Sequence, residues 1–197
     1  MNASARLVVS GVVEEVAVKK SKEFDRLEFR KALGSFPTGV TIITARGADG
    51  RPFGVTCSSF NSVSLDPPLV LWSLAKNSYC RAAFEATPNW AVNLLSSDQE
   101  ALSNQFAKAG KDKFADVKTE AGIADVPLLP GCCAGFQCST EFIYEGGDHI
   151  ILVGRVLAFD RWDRLPLVFH SGQYNRQIAD AVARALGMRT RHLLDWV

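Results

Sequence analysis

From Phe36 to Leu71 the chain alternates short β-branched runs with joints rich in glycine and hydroxyl residues. Val40 to Ala45 is one such run, Gly47 to Gly50 is a turn, and Phe53 to Phe60 is a second run, so the pair predicts a hairpin. A polar turn and a double proline then feed Leu69 to Leu74, whose unbroken apolar character predicts a strand buried on both faces. Trp90 to Leu95 reads as another strand. Phe136 to Tyr144 and Ile150 to Asp160 predict a long hairpin through Glu145-Gly146-Gly147-Asp148, and Leu167 to His170 supplies a last strand.

Helices are few. Asp25 is placed to cap a helix from Arg26 to about Ser35, ended by Pro37 and Gly39. Its apolar members, Phe24, Leu27, Phe29, Ala32, Leu33 and Phe36, predict one buried side. Ser78 caps a short helix, Tyr79 to Ala86, which stops before Pro88. Ser97 or Asp98 caps a third, running to about Lys108. Asn175 to Leu186 carries Ile178, Val182 and Ala185 on one side and ends at Gly187. Residues 1 to about 22 read as a loosely attached arm, and Lys108 to Asp125 as an excursion with little core. Six or seven closely spaced strands with so few helices predict a mainly β domain, an antiparallel closed β-barrel. The organisation expected is an arm over 1–22, one domain over 23–187 and a tail over 188–197.

Composition narrows the function classes. The chain has 197 residues, enough for one domain with a real core, with 47% hydrophobic and 22% charged residues. A net charge of +1 does not favour nucleic acid or an anionic membrane. No apolar run approaches the roughly 20 residues that span a bilayer, and the start lacks the pattern of a secretory signal, so a cytoplasmic location is expected. Five cysteines, Cys57, Cys80, Cys132, Cys133 and Cys138, are an odd count and predict buried free thiols rather than disulfides. The spacing of the last three is not that of a metal site, and none is expected. Neither the GxGxxG fingerprint nor a phosphate loop ending in Gly-Lys-Ser/Thr is present.

Candidate chemistry gathers at strand ends. Thr38-Gly39-Val40 offers a hydroxyl and a backbone that a ligand can approach closely. Thr56, Cys57, Ser58 and Ser59 close the second strand, with Thr56 and Ser58 expected on one face and Cys57 and Ser59 on the other. Ser73, Lys76, Asn77 and Ser78 join a strand to a helix start, where free N–H groups and a lysine can cradle phosphate. Such a set suits a flat, polar-edged, phosphorylated ligand. Asp148-His149 is the sharpest candidate for catalytic work. His170 and His192 have weaker claims.

Several segments occur together in a telling order: Phe36-Pro37-Thr38-Gly39-Val40, Ser62-Val63-Ser64-Leu65-Asp66-Pro67-Pro68-Leu69-Val70, Val92-Asn93-Leu94-Leu95, Gln105-Phe106-Ala107, Gly147-Asp148-His149 and Phe169-His170-Ser171-Gly172-Gln173-Tyr174. In these the chain resembles the flavin reductase family of the flavin-binding split barrel, the small reductase components of two-component flavin monooxygenases. It departs from many members at Cys57-Ser58-Ser59-Phe60, where they carry Ala-Asn-Ser-Phe. The resemblance implies an antiparallel, Greek-key-like split barrel of the FMN-binding type. It implies NAD(P)H:flavin oxidoreductase activity, with NADH or NADPH reducing FMN or FAD, a homodimer, and a separate monooxygenase that receives the reduced flavin. The flavin site would draw on Pro37, Thr38, Gly39, Val40, Thr56, Cys57, Ser58, Ser59, Ser62, Ser64, Ser73, Lys76, Asn77, Ser78, Phe106, Ala107 and Tyr174. Phe106 either borders the flavin or fills the core, and Tyr174 either covers a ring or packs a dimer seam. The same resemblance sets His149 at the nicotinamide site, oriented by Asp148, to position the two rings and secondarily to supply a proton. The alternative is an FMN-binding electron-transfer or sensor protein on the same fold, without flavin turnover.

Overall fold

The computed structural model describes residues 6–9, 12–15, 25–110 and 112–175. The predicted helix beyond Asn175, the tail and His192 lie outside the described residues. Two units divide the chain, Met1–Phe36 and Pro37–Val197.

The first unit holds an antiparallel hairpin of β1 (Arg6–Val9) and β2 (Val12–Glu15), where the sequence predicts only a loose arm. Its pattern is weak because the strands are four residues each. Helix α1 (Arg26–Gly34) begins as expected, with Asp25 Oδ1 accepting from the backbone N–H of Leu27 at 2.9 Å and of Glu28 at 3.2 Å. The buried side predicted for it is not found. No residue of α1 is buried, and Leu27 and Leu33 are 62% and 61% exposed. Apolar spacing shows that a helix can pack, not that a partner surface is supplied.

In the second unit the strands are β3 (Thr38–Gly39), β4 (Thr41–Arg46), β5 (Pro52–Cys57), β6 (Asn61–Leu65), β7 (Pro68–Ala75), β8 (Asn89–Leu94), β9 (Glu120–Ala121), β10 (Pro127–Leu128), β11 (Ala134–Gly146), β12 (His149–Arg161), β13 (Val168–His170) and β14 (Gln173–Tyr174). Helices α2 (Arg81–Ala86) and α3 (Glu100–Ala107) interrupt them. Seven strands form one antiparallel sheet in the order β5-β4-β8-β11-β12-β7-β6. Two smaller sheets pair β9 with β10, and β3 with β13 and β14.

The architecture is therefore mainly β and antiparallel, but the large sheet is not closed into a barrel, which corrects the expectation of closure. β6 pairs with β7 only from Pro68 to Leu71, so among the described residues no strand lies beside that edge of β7 beyond Leu71. A side chain takes that place. Ser59 Oγ accepts from Ser73 N–H at 2.9 Å and donates to Ser73 O at 3.1 Å. The connection after β5 is thus stitched to β7 by one hydroxyl instead of a ladder of backbone bonds. The sequence predicts a polar turn where β6 lies, because its serines hide its strand character.

Core side chains explain the register. Strand β7 alternates, with Val70, Trp72 and Leu74 buried and Leu69, Leu71 and Ser73 half-buried. Burial on both faces was expected, but only one face meets the core. There, Trp72 packs edge-on against Phe84 (4.9 Å between ring centres) and Trp90 (5.9 Å). A second cluster joins Ile42, Leu95, Phe106, Leu129 and Leu167. Phe114 and Val117 pack against it, so the 108–125 excursion contributes to the core after all. Between the strands, buried Asn93 donates to Ile42 O and Thr44 Oγ1, both at 3.0 Å, and accepts from Leu129 N–H at 2.9 Å. An unpaired amide in that position would be costly, and this one is fully used.

All five cysteines are free thiols, and no group of residues suited to a metal ion occurs among the described residues. Burial pushes the thiols of Cys132 and Cys138 up to about 12. Iodoacetamide at about pH 8 is expected to leave both untouched in the folded protein and to label them after unfolding, because only a thiolate attacks. Peptide mapping that finds either one labelled in the native state would contradict this.

Candidate functional site

An open cleft of about 550 Å³ lies where the sheet fails to close. One wall is the end of β5 and the start of the next connection: Val55, Thr56, Cys57, Ser58 and Ser59. The other wall comes from β7 and β12. Their register pairs His149 with Ala75 and Ile151 with Ser73. Those four residues share the less buried face of the ladder and line the cleft, while on the other face Ile150, Leu152 and Trp72 are in the core and Leu74, also buried, reaches the cleft lining as well. Ser78 and Gly146 complete the lining.

Among the described residues β5 is an edge strand, so half of its backbone N–H and C=O groups meet no described strand on the side away from β4. It is braced from behind. Thr56 Oγ1 donates to Ser103 O of α3 at 2.7 Å. Lys113 Nζ donates to Gly54 O at 3.2 Å and to Phe106 O at 2.8 Å, and burial pulls the pKa of this ammonium down. Cys57 Sγ lies 3.2 Å from Thr41 Oγ1, and burial raises the thiol's pKa. The hydroxyls of Thr56 and Ser59 are therefore taken up by the frame. What the wall offers a ligand is the exposed Ser58 hydroxyl together with unpaired backbone groups.

On the opposite wall His149 Nδ1 lies 2.7 Å from Asp148 Oδ1. An ionised carboxylate only accepts, so in this contact Nδ1 carries the proton and donates. The turn between β11 and β12 is two residues, Gly147 and Asp148, with Gly147 at φ 77°. A glycine at the first central position with positive φ is what a tight hairpin of this hand requires.

Other sequence-predicted residues fall elsewhere. Lys76 pairs with Glu145 at the cleft rim, and its N–H bonds Asp148 O at 2.9 Å. Asn77 is exposed beyond the rim. Helix α2 begins at Arg81 and is only six residues long, later than the Tyr79 start expected, and Ser78 Oγ accepts from Cys80 N–H at 3.4 Å just ahead of it. Ser62 and Ser64 lie on β6, away from the lining. Pro37, Thr38, Gly39 and Val40 lead into β4; Thr38 and Gly39 pair with Phe169 and Val168, and Thr38 Oγ1 is buried with no hydrogen-bond partner among the described residues. Phe106 fills the second core cluster, with its ring against Gly54 and Phe114. Ala107 ends α3. Tyr174 packs on Phe169, and its hydroxyl meets Ser103 Oγ at 2.8 Å and donates to Asn104 Oδ1 at 3.1 Å. His170 lies outside the cleft, 3.4 Å from Ser171 Oγ.

The sequence reading missed the apolar lining, Val55, Leu74, Ala75 and Ile151, and the rim carboxylate Glu145. Strand alternation carried the signal for Ile151, two residues from His149. A second cavity of about 230 Å³, bordered by Cys132, Gln137 and Trp162, contains none of the predicted site residues.

The profile described as "Flavin reductase like domain" matches residues 33–177. The chain belongs to this flavin reductase family. It is 46% identical over 148 residues to the FMN reductase (NADH) SmoA of Agrobacterium fabrum, covering 75% of this chain and 84% of that one. It is 39% identical over 155 residues to HsaB of Rhodococcus jostii, the reductase subunit of a flavin-dependent monooxygenase, covering 78% and 79%. Coverage falls to 49% of a probable flavin reductase from Rhizobium meliloti, a longer protein. Among solved structures, the NADH:FAD oxidoreductase SgcE6 of Streptomyces globisporus, in complex with NAD and FAD fragments, superposes with a TM-score of 0.74 at 39% identity, over 77% of this chain and 92% of that one. The flavin reductase family member described here thus carries its cleft on the same fold as a protein in complex with NAD and FAD fragments.

Proposed function

We propose that this flavin reductase family member is an NADH-dependent FMN or FAD reductase that supplies reduced flavin to a separate monooxygenase. The observation that carries the reading is the cleft itself. It is open, two-walled, and joins the unpaired edge of β5 to a carboxylate-held imidazole on β12. A flat ring with N–H and C=O edges fits such an edge, and the apolar side chains of Val55 and Ile151 suit its faces. The dinucleotides named for SmoA and SgcE6 support the choice of partners.

When both are bound, the reduced nicotinamide supplies a hydride and the flavin accepts it; this needs no protein base. The chain's part is to hold two planes in contact and keep water out. Backbone groups of Thr56 to Ser59 would hold the flavin edge, where donors also favour the anion formed on reduction. His149, fixed by Asp148, would position the nicotinamide. Lys76 would meet flavin phosphate. Ser58, Ser73 and Ser78 would supply further contacts at the lining.

The split-barrel description belongs with this reading: the incomplete closure stitched by Ser59 leaves the seat for the flavin. A homodimer is supported by the large apolar side chains that the sheet exposes, including Val63 and Leu65 on β6 and Leu157 and Phe159 on β12. A cytoplasmic setting suits free thiols and a nicotinamide supply, and no described helix is long and apolar enough to cross a membrane.

The test is the purified protein with NADH and an excess of FMN or FAD, followed by loss of reduced-nicotinamide absorbance. Many turnovers per protein are expected. One stoichiometric reduction would instead support a flavin carrier on this fold, and no reduction would remove the proposal.

A further inference from the structure

The rim of the cleft carries an ion pair whose carboxylate the reductase reading does not use. Lys76, just after the end of β7, has its ammonium on the Glu145 carboxylate of β11. Lys76 comes directly after Ala75 and Glu145 directly before Gly146, and both of those neighbours line the cleft. The pair therefore sits at the edge of the ligand space and bridges two strands that are not sheet neighbours, since β12 lies between them. Its members differ in exposure: the Lys76 side chain is 34% exposed and that of Glu145 71%. The other cation nearby, Arg81, is paired with Glu85 through contacts of 3.1 Å.

We propose that Glu145 is a built-in competitor for the flavin phosphate: it holds Lys76 when the cleft is empty and must yield it when a phosphorylated flavin binds. This rests on the reading that Lys76 meets phosphate. Both anions seek one ammonium, and an ammonium on a flexible stem can swing from one to the other. The carboxylate is exposed, so it returns to water at little cost and the exchange is nearly balanced. Glu145 in turn feels the ammonium, which lowers its pKa. The consequence for a protein that must give its product away is direct. A phosphate that has to displace a resident carboxylate is held less tightly and leaves faster. The competitor weakens every ligand with a phosphate at that position and spares one without it.

The experiment compares riboflavin, FMN and FAD on the full chain, by quenching of flavin fluorescence, for the wild type, Glu145→Gln, Lys76→Met and the double variant. Glu145→Gln is expected to tighten FMN and FAD about two- to fivefold and to leave riboflavin unchanged. Lys76→Met is expected to weaken FMN, and in its background Glu145→Gln should have no further effect. Stopped-flow mixing should show the tightening as slower flavin release. Equal tightening of riboflavin, no change in FMN, or an effect that survives Lys76→Met would each overturn the competitor. If FMN affinity ignores Lys76→Met while flavin is still reduced, the phosphate contact fails and the reductase reading stands. If no flavin binds at all, both fail.

Discussion

His149→Ala is expected to lower kcat/KM for NADH about 10- to 100-fold, with the larger part in KM, while flavin affinity stays within a factor of about two. The imidazole stands on the β12 wall, facing Val55 to Ser59 across the cleft, and its partner Asp148 keeps the ring in one orientation. Removing it takes away a positioning contact without touching the edge of β5. Asp148→Asn should give a milder form of the same defect, since an amide oxygen still accepts from Nδ1. Steady-state kinetics against NADH, with flavin affinity measured separately, check both. Unchanged NADH kinetics would take His149 out of the site, and a parallel loss of flavin binding would move it to the flavin side.

The largest effect on stability is expected from Gly154→Ala. A Cβ built on Gly154 would stand 2.3 Å from Trp90 Cζ2, 2.6 Å from Trp90 Cη2 and 3.1 Å from Cys138 Cβ. Trp90 is fully buried, packs on Trp72, and donates from Nε1 to Thr140 Oγ1 at 3.0 Å, so its ring has nowhere to go. Overpacking a core costs about 1–3 kcal/mol, and this site belongs at the upper end. For a chain of this size that is a fall of about 6–12 °C in Tm. Calorimetry measures it. Trp90→Phe in the same chain should return part of the loss by making room, and an unchanged Tm in Gly154→Ala would mean that the two strands separate more easily than the register implies.

Much of the strand order was legible because alternation and turn residues act locally. The β11–β12 hairpin could be read from its glycine turn and its apolar runs, and α1 from Asp25. Strand β6 could not, since Ser62 and Ser64 disguise an edge strand as a turn. The incomplete closure was hidden for a different reason. It depends on where β6 stops pairing with β7, and no local pattern records the length of a ladder. At the site, the hydroxyl-rich stretch after β5 was visible, but not which of its hydroxyls bond the frame. Thr56 and Ser59 turn to backbone partners far along the chain, Ser103 and Ser73, and composition cannot say whether a hydroxyl serves the frame or a ligand. Phe106 shows the same limit: an aromatic suits a ring or a core equally well, and here the core took it.

The open side of β5 has one more consequence, for handling the protein. From Pro52 to Cys57 the strand carries no charged side chain, so it lacks the usual guard against pairing with a stranger's strand. What ties the segment after this strand to β7 is the Ser59 hydroxyl. Loosen that pin, by heat or by substitution, and the seat becomes a sticky edge. Clumping would then begin at the same strand that gives the molecule its grip.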